Sequence, residues 1–185
     1  MVFRIRGEGL VEGLQVGGLP DGTVDQDTLA AGVPDSIVTS ALPSGTILQV
    51  VQVTLDDTQE STTSSTYVDT SLSGLITPSA TSSKILIVSN SIYMNSSSDV
   101  NGMLSLKRDS TVLNGSRALA VYYFQASSNV DPWNTGSMML IDSPATTSET
   151  CYTVVFKCSG GTFYHGHGSG SGGSTQSITL MEVAG

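Results

Sequence analysis

From residue 46 onward the sequence is a succession of short runs rich in Val, Ile, Leu, Tyr and Thr, each closed by a cluster of Ser, Gly, Asn, Asp or Pro. The runs are TILQVVQVTL, STYVDTSL, GLITP, KILIVSNSIYM, NGMLSLKR, TVLNG, RALAVYYFQA, SMMLIDS, CYTVVFKC, GTFYH and SITLMEV. This punctuation constrains the fold more than any other feature. It leaves no room for a helical pattern of useful length, and β-branched and aromatic residues suit a pleated, half-buried surface. Residues 46–185 therefore read as one antiparallel, all-β domain, a sandwich or barrel, with a jelly-roll-like sandwich as the expected form.

Individual runs refine this picture. KILIVSNSIYM begins apolar on both faces, the pattern of a central strand buried against another layer. In CYTVVFKC, Tyr152, Val154 and Phe156 share one face while Cys151, Thr153, Val155 and Lys157 share the other, and one of the two faces the core. Cys151 and Cys158 lie seven residues apart. That is ~23 Å along a strand, and the odd separation turns the side chains to opposite faces, so they cannot pair with each other and read as space-filling residues. SLKRDSTVL reads as a hairpin with Arg108-Asp109-Ser110 at its turn, where Asp and Ser tolerate the geometry.

The opening stretch behaves differently. Its first 36 residues carry six acids against two arginines, show no sustained period and are broken by repeated Gly. Alone, such a segment buries too little apolar surface to offset the entropy of ordering it. A single helical turn is expected in DQDTLAAG, capped by Asp25 or Asp27 and stopped at Gly32 or Pro34. We therefore expect residues 1–40 to form an extended anchoring arm laid on a partner surface. Leu10, Leu14, Val16, Leu19 and Leu29 would supply its apolar contacts, and residues 41–45 a hinge.

Composition excludes some functions. A net charge of −9 with only seven Lys and Arg argues against nucleic acid as a partner, because that affinity comes from basic side chains releasing phosphate counterions. No run approaches the ~20 apolar residues of a membrane span, and no long apolar stretch follows Met1, so neither membrane insertion nor a signal peptide is expected.

The segments ILQVVQVT, TSLSGLITPSATSSKILIV, LSLKRDSTVL, LIDSPATTSETCYTVVFKCSGGTFY and SITLMEVAG resemble the C-terminal β domains of small virion structural and tail-fibre-like proteins of tailed bacteriophages, particularly aquatic phages. TPSATSSKILI and DSPATTSETCYTV carry most of the likeness, which covers about residues 45–185. The leader VGGLPDGTVDQDTLAAGV is similar to the segment that precedes such domains. The resemblance implies a homotrimeric appendage on the virion surface, assembled in the host cytoplasm and attached by its N-terminal end with the β domain outward. On that reading the acceptor patterns Asn95-Ser96-Ser97 and Asn114-Gly115-Ser116 are ordinary loop residues. FYHGHGSGSGGS departs from the pattern of these proteins, which marks that hairpin end as a place for specialisation.

The chemistry-bearing residues are few. His165 and His167 are the only histidines, and they would project to one face if the strand continued. Two imidazoles are short of the usual three or four metal ligands; the pair becomes a metal site only around the axis of a trimer, as the resemblance to phage fibres allows. Otherwise it is a polar hairpin end. No Ser lies in a nucleophile elbow, and GSGSGGS is a flexible loop. Asp56-Asp57 reads as a solvated turn and Asp25 with Asp27 as capping groups, rather than as the carboxyl pair of a glycosidase. Tyr122 and Phe124 share a strand face and read as core, whereas Tyr123 and Trp133 are candidates for a ligand surface. The leading expectation is a non-enzymatic structural protein without cofactors, either a fibre or spike component or a capsid decoration (cement) protein. The alternative is a module binding host receptor or glycan through Trp133 and the loop 165–173.

Overall fold

The structure, a computed structural model, describes residues 4–5, 11–12, 42–96, 99–124, 133–167 and 173–185. The five anchoring residues, the turn expected after Asp25 and the glycine run 168–172 lie outside the described residues. The chain divides into two units, Met1–Leu42 and Pro43–Gly185. In the first, β1 (Arg4–Ile5) and β2 (Val11–Glu12) pair antiparallel, Arg4 opposite Glu12 and Ile5 opposite Val11.

The second unit contains β3 (Ile47–Asp56), β4 (Glu60–Thr62), β5 (Val68–Ile76), β6 (Lys84–Asn95), β7 (Val100–Arg108), β8 (Thr111–Val112), β9 (Ala120–Phe124), β10 (Asn134–Asp142), β11 (Thr150–Cys158), β12 (Phe163–His165) and β13 (Thr175–Val183). All pairings are antiparallel, and the strands form two sheets.

Register shows how each sheet is laid out. β10 covers β6 from Ile85 to Tyr93, while β13 covers Lys84 to Asn90 and β12 covers Tyr93 to Asn95. Both β12 and β13 overlap β10 along β6, so they occupy its opposite edge as two halves of one column. β3 and β4 extend that sheet outward on β13 and β12 respectively. The first sheet is thus four columns wide: β3 with β4, β13 with β12, β6, then β10. The second has β5, β11, β7 and a last column shared by β8 and β9. From β3 to β13 the chain visits the sheets in the order first, second, first, second, second, first, second, first. That order is a jelly roll.

The core lies between the sheets. Ile85, Ile87, Phe163, Ile178 and Leu180 come from the first, and Leu72, Leu104, Leu106, Tyr152, Val154 and Phe156 from the second. Gly102 on β7 makes room for Phe163 opposite, since a Cβ there would sit 2.2 Å from the ring. STYVDTSL and GLITP join into the single strand β5: Ser73 and Gly74 pair with Thr153 and Tyr152 of β11, and the register shifts just before them, between Asp69 and Ser73. β4 escaped the pattern, being three residues long and without an apolar side chain.

Other expectations meet the structure closely. The hairpin turns at Asp109, whose φ of +49° an Asp tolerates, and whose carboxylate accepts the Cys151 amide at 3.1 Å. Tyr152, Val154, Phe156 and Cys158 face the core. Cys151, on the other face, is half-buried, and both thiols are free. One reading of β6 needs correction: its inner face is sealed, but Leu86 and Val88 on the outer face are only half-buried. A jelly-roll sheet has one facing layer, and β6 spends its second apolar set on the outside.

Two polar anchors close the ends. Glu182 on β13 is 1% exposed, and it accepts hydrogen bonds from the Ser79 amide and hydroxyl and from Gln49 Nε2, each at 2.6 Å. Burial alone would push its carboxyl up; these donors outweigh that and hold it below the usual range. Elsewhere Asp142 at the end of β10 accepts Arg108 Nη1 at 2.8 Å and the Tyr152 hydroxyl at 2.8 Å. This clasp ties the first sheet to the second. Burial and the Asp142 carboxylate both push the Tyr152 phenol up.

Candidate functional site

The first sheet is broken in mid-column. β12 ends with His165 opposite Tyr93, and β13 meets β6 next with Ser177 opposite Asn90, so the column is interrupted between these two pairings. Gly166 makes the exit, with φ +77° and its amide donating to Ile92 O at 2.7 Å. Only glycine fits there, because a Cβ would sit 1.9 Å from Thr58 O.

The neighbouring column turns at the same level. Thr175 donates to Asp56 Oδ1 at 2.6 Å, the Ser174 amide to Asp57 Oδ1 at 3.2 Å, and the Asp57 amide to Ser174 O at 2.9 Å. Asp56-Asp57 is accordingly an exposed turn pinned to the start of β13.

The two histidines part company at this break. His165 is fully buried, with Nε2 3.0 Å from Ser91 Oγ and Nδ1 3.7 Å from Glu60 Oε2. Glu60 also accepts the Ser71 amide, at 3.0 and 2.9 Å, and the Ser71 hydroxyl at 2.8 Å. The adjacent imidazole, helped by Ser71 and opposed by burial, holds the Glu60 carboxyl below its ordinary range. His167 lies beyond Gly166. Its ring meets Trp133 edge-on, centroids 4.3 Å apart, and its amide donates to Ser174 Oγ at 3.0 Å. The shared face expected of the pair is not formed, because β12 stops at His165. A fully buried imidazole also cannot be presented to an axis between chains. Among the described residues no group of three or more His, Cys, Asp or Glu is arranged to hold a metal.

Ser91, His165 and Glu60 stand in the order of a hydrolase triad. Yet Ser91 is 3% exposed, its side chain on the inner face of β6. The arrangement joins β6, β12 and β4 of one sheet to β5 of the other.

On the outer face beside the break lies a polar groove of about 350 Å³, lined by Asn90, Ser91, Ile92, Thr135, Gly136, Ser137 and Thr175. Ser137 Oγ donates to Asn90 Oδ1 at 2.5 Å. Trp133, half-buried, immediately precedes β10. Tyr123 belongs to the second sheet, 52% exposed, with its hydroxyl 2.9 Å from Asp99 Oδ1, so the two aromatics proposed for a ligand surface are carried by different sheets. Tyr122 packs on Tyr93 at 5.3 Å and accepts Asn134 Nδ2 at 2.9 Å, in keeping with a core role. Asn95 is 1% exposed, which removes it as an accessible acceptor.

The other half of this outer face carries an apolar row, with exposed Lys84 on one side of it and the Gln52–Thr179 pair on the other. Ile141, Leu86, Met181 and Val50 lie side by side across all four columns. Met139 is 69%, Ile141 60%, Val50 57% and Ile47 53% exposed. Fully burying such a side chain is worth about 1.5–3 kcal/mol, so an uncovered face of this kind forgoes several kcal/mol. Its signal in the sequence is MMLI, four consecutive apolar residues where a strand with one wet face would alternate. Glu60 and Ser91 gave no such signal, because polar residues that face the core are indistinguishable by type from surface ones.

No family model matches the chain, and no curated protein matches it. Among solved structures it is similar to one described as "Structure of infectious bursal disease virus Gx strain", at 12% identity and a TM-score of 0.34, over 74% of this chain and 31% of that one. The match spans less than a third of that chain, and the jelly-roll assignment rests on the strand order.

Proposed function

We propose that this chain is a structural component of a virus particle, a surface appendage of a tailed phage that is either a fibre or spike component or a capsid decoration protein. In this reading residues 1–40 dock on the capsid or tail through Leu10, Leu14, Val16, Leu19 and Leu29. The β domain points outward as a homotrimer, and three weak tethers act together as one strong one. The observation that carries the reading is the jelly-roll strand order, an architecture used by viral capsid domains and also by lectins. It is a fold-level likeness, joined to the sequence resemblance over residues 45–185. We take the protein to be non-enzymatic, since Ser91 and His165 of the triad-like arrangement are buried.

The test is deletion of residues 1–40, followed by purification of particles and electron microscopy. The truncated protein is expected to keep its far-UV circular dichroism and to be absent from particles. Particles that still carry it would overturn the arm as the attachment device, and the position of the intact protein separates capsid from tail.

A second reading, binding of host receptor or glycan, draws on the groove beside Asn90 and Ser137 and on the Trp133–His167 pair. It expects Trp133→Ala to reduce adsorption to cells while leaving incorporation into particles unchanged. Unaltered adsorption would remove it.

A further inference from the structure

We infer that the outer face of the first sheet, the face of columns β3, β13, β6 and β10, is where a second copy of this chain docks. The apolar row from Ile141 through Leu86 and Met181 to Val50 reaches both flanks of the sheet, and Met139 and Ile47 widen it. A neighbour approaching from either flank meets apolar surface at once.

The two outer faces differ. On the second sheet, Val155 and Ser105 at the centre are completely buried, and the Lys157 amine lies 4.3 Å from the centre of the Tyr67 ring. Exposed Leu75 and Val121 stand there on the two outermost columns, β5 and β9. The chain therefore closes the middle of one face itself and leaves the other apolar across its width.

Charge allows another copy as the occupant. The chain carries −9 overall, so copies repel except where carboxylates are missing. On the first sheet Glu60 and Glu182 are engaged inward, Asp142 is held by Arg108, and Asp56 sits at the far end of β3. None borders the apolar half. Size agrees as well. Four columns and the nine residues from Lys84 to Ile92 make a face of about 19 by 30 Å, on the order of 550 Å² in projection. With side-chain relief added, this suits the ~800 Å² each partner contributes to a standard interface, the apolar half supplying its buried part and the groove half a polar margin.

This deepens the proposed function only by naming the surface between copies, and it stands or falls on a different measurement. The full chain at micromolar concentration should sediment as a multiple of one chain. Met139→Lys with Ile141→Lys, both exposed positions, should raise the dissociation constant about 30-fold or more. Val50→Lys on the opposite flank should do the same, and Val121→Lys on the second sheet should not. Near-ultraviolet circular dichroism reports folding, and Ile141→Thr serves if the lysine pair does not fold. A wild-type chain that sediments singly, or folded face variants that keep the wild-type mass, would overturn the inference. A single chain that still joins particles would do so, and would remove the homotrimer from the proposed function while leaving attachment through residues 1–40 intact.

Discussion

Glu182 keeps its charge inside the sandwich because Ser79 and Gln49 supply the donors that water would. Removing that charge by Glu182→Gln leaves donors without a full acceptor and is expected to cost about 1–3 kcal/mol at neutral pH. The folded carboxyl titrates below its unfolded value of about 4.3. Its contribution is thus complete above that value and lost as pH falls through the folded one. Urea denaturation at pH 7 and pH 3 should show the gap between wild type and variant closing in acid; a gap of equal size at both would mean that the charge contributes nothing. Gly102 makes a steric counterpart. Gly102→Ala drives a methyl into Phe163 and should cost about 1–3 kcal/mol, and Phe163→Leu in the same chain should recover part of it. Simple additivity of the two changes would show that they do not meet.

Among the elements, the clasp at Asp142 is the contact most exposed to a test. It joins the end of β10 to Arg108 on β7 and Tyr152 on β11. Asp142→Asn should lower stability by about 2 kcal/mol, and Tyr152→Phe by about 1 kcal/mol. Losses below about 0.5 kcal/mol in denaturant titration would class the contact with ordinary surface ion pairs. Strands such as β6, β11 and β13 were legible from their residues, because alternation and turn clusters report local preference directly. β4 was not, since its position depends on pairing with β12, a contact about a hundred residues distant in the chain. For the same reason His165 was expected outside and lies inside: period alone says which residues share a face, and only tertiary pairing says which face is sealed. Trp133 was picked out by type, but the Gly166 exit that brings His167 against it is a property of the break between two strands.

At the scale of the molecule, β13 occupies the column between β3 and β6. Removing residues 175–185 takes away Ile178, Leu180 and Glu182 together and parts β3 from the sheet. The shortened chain is expected to lack the cooperative thermal transition of the full one, and a retained transition would show that the sandwich holds without β13. Pairings as distant as Gln49 with Glu182 also place refolding in the millisecond-to-second range of non-local β proteins, measurable by stopped-flow fluorescence of Trp133. That same pairing sets a schedule during synthesis. At about 5–20 residues per second, the ribosome needs roughly 6–25 s to travel from one partner strand to the other. Throughout that interval β3 waits, its row of amides and carbonyls unclaimed, and a nascent chain emerging from the next ribosome on the same messenger carries an identical vacancy.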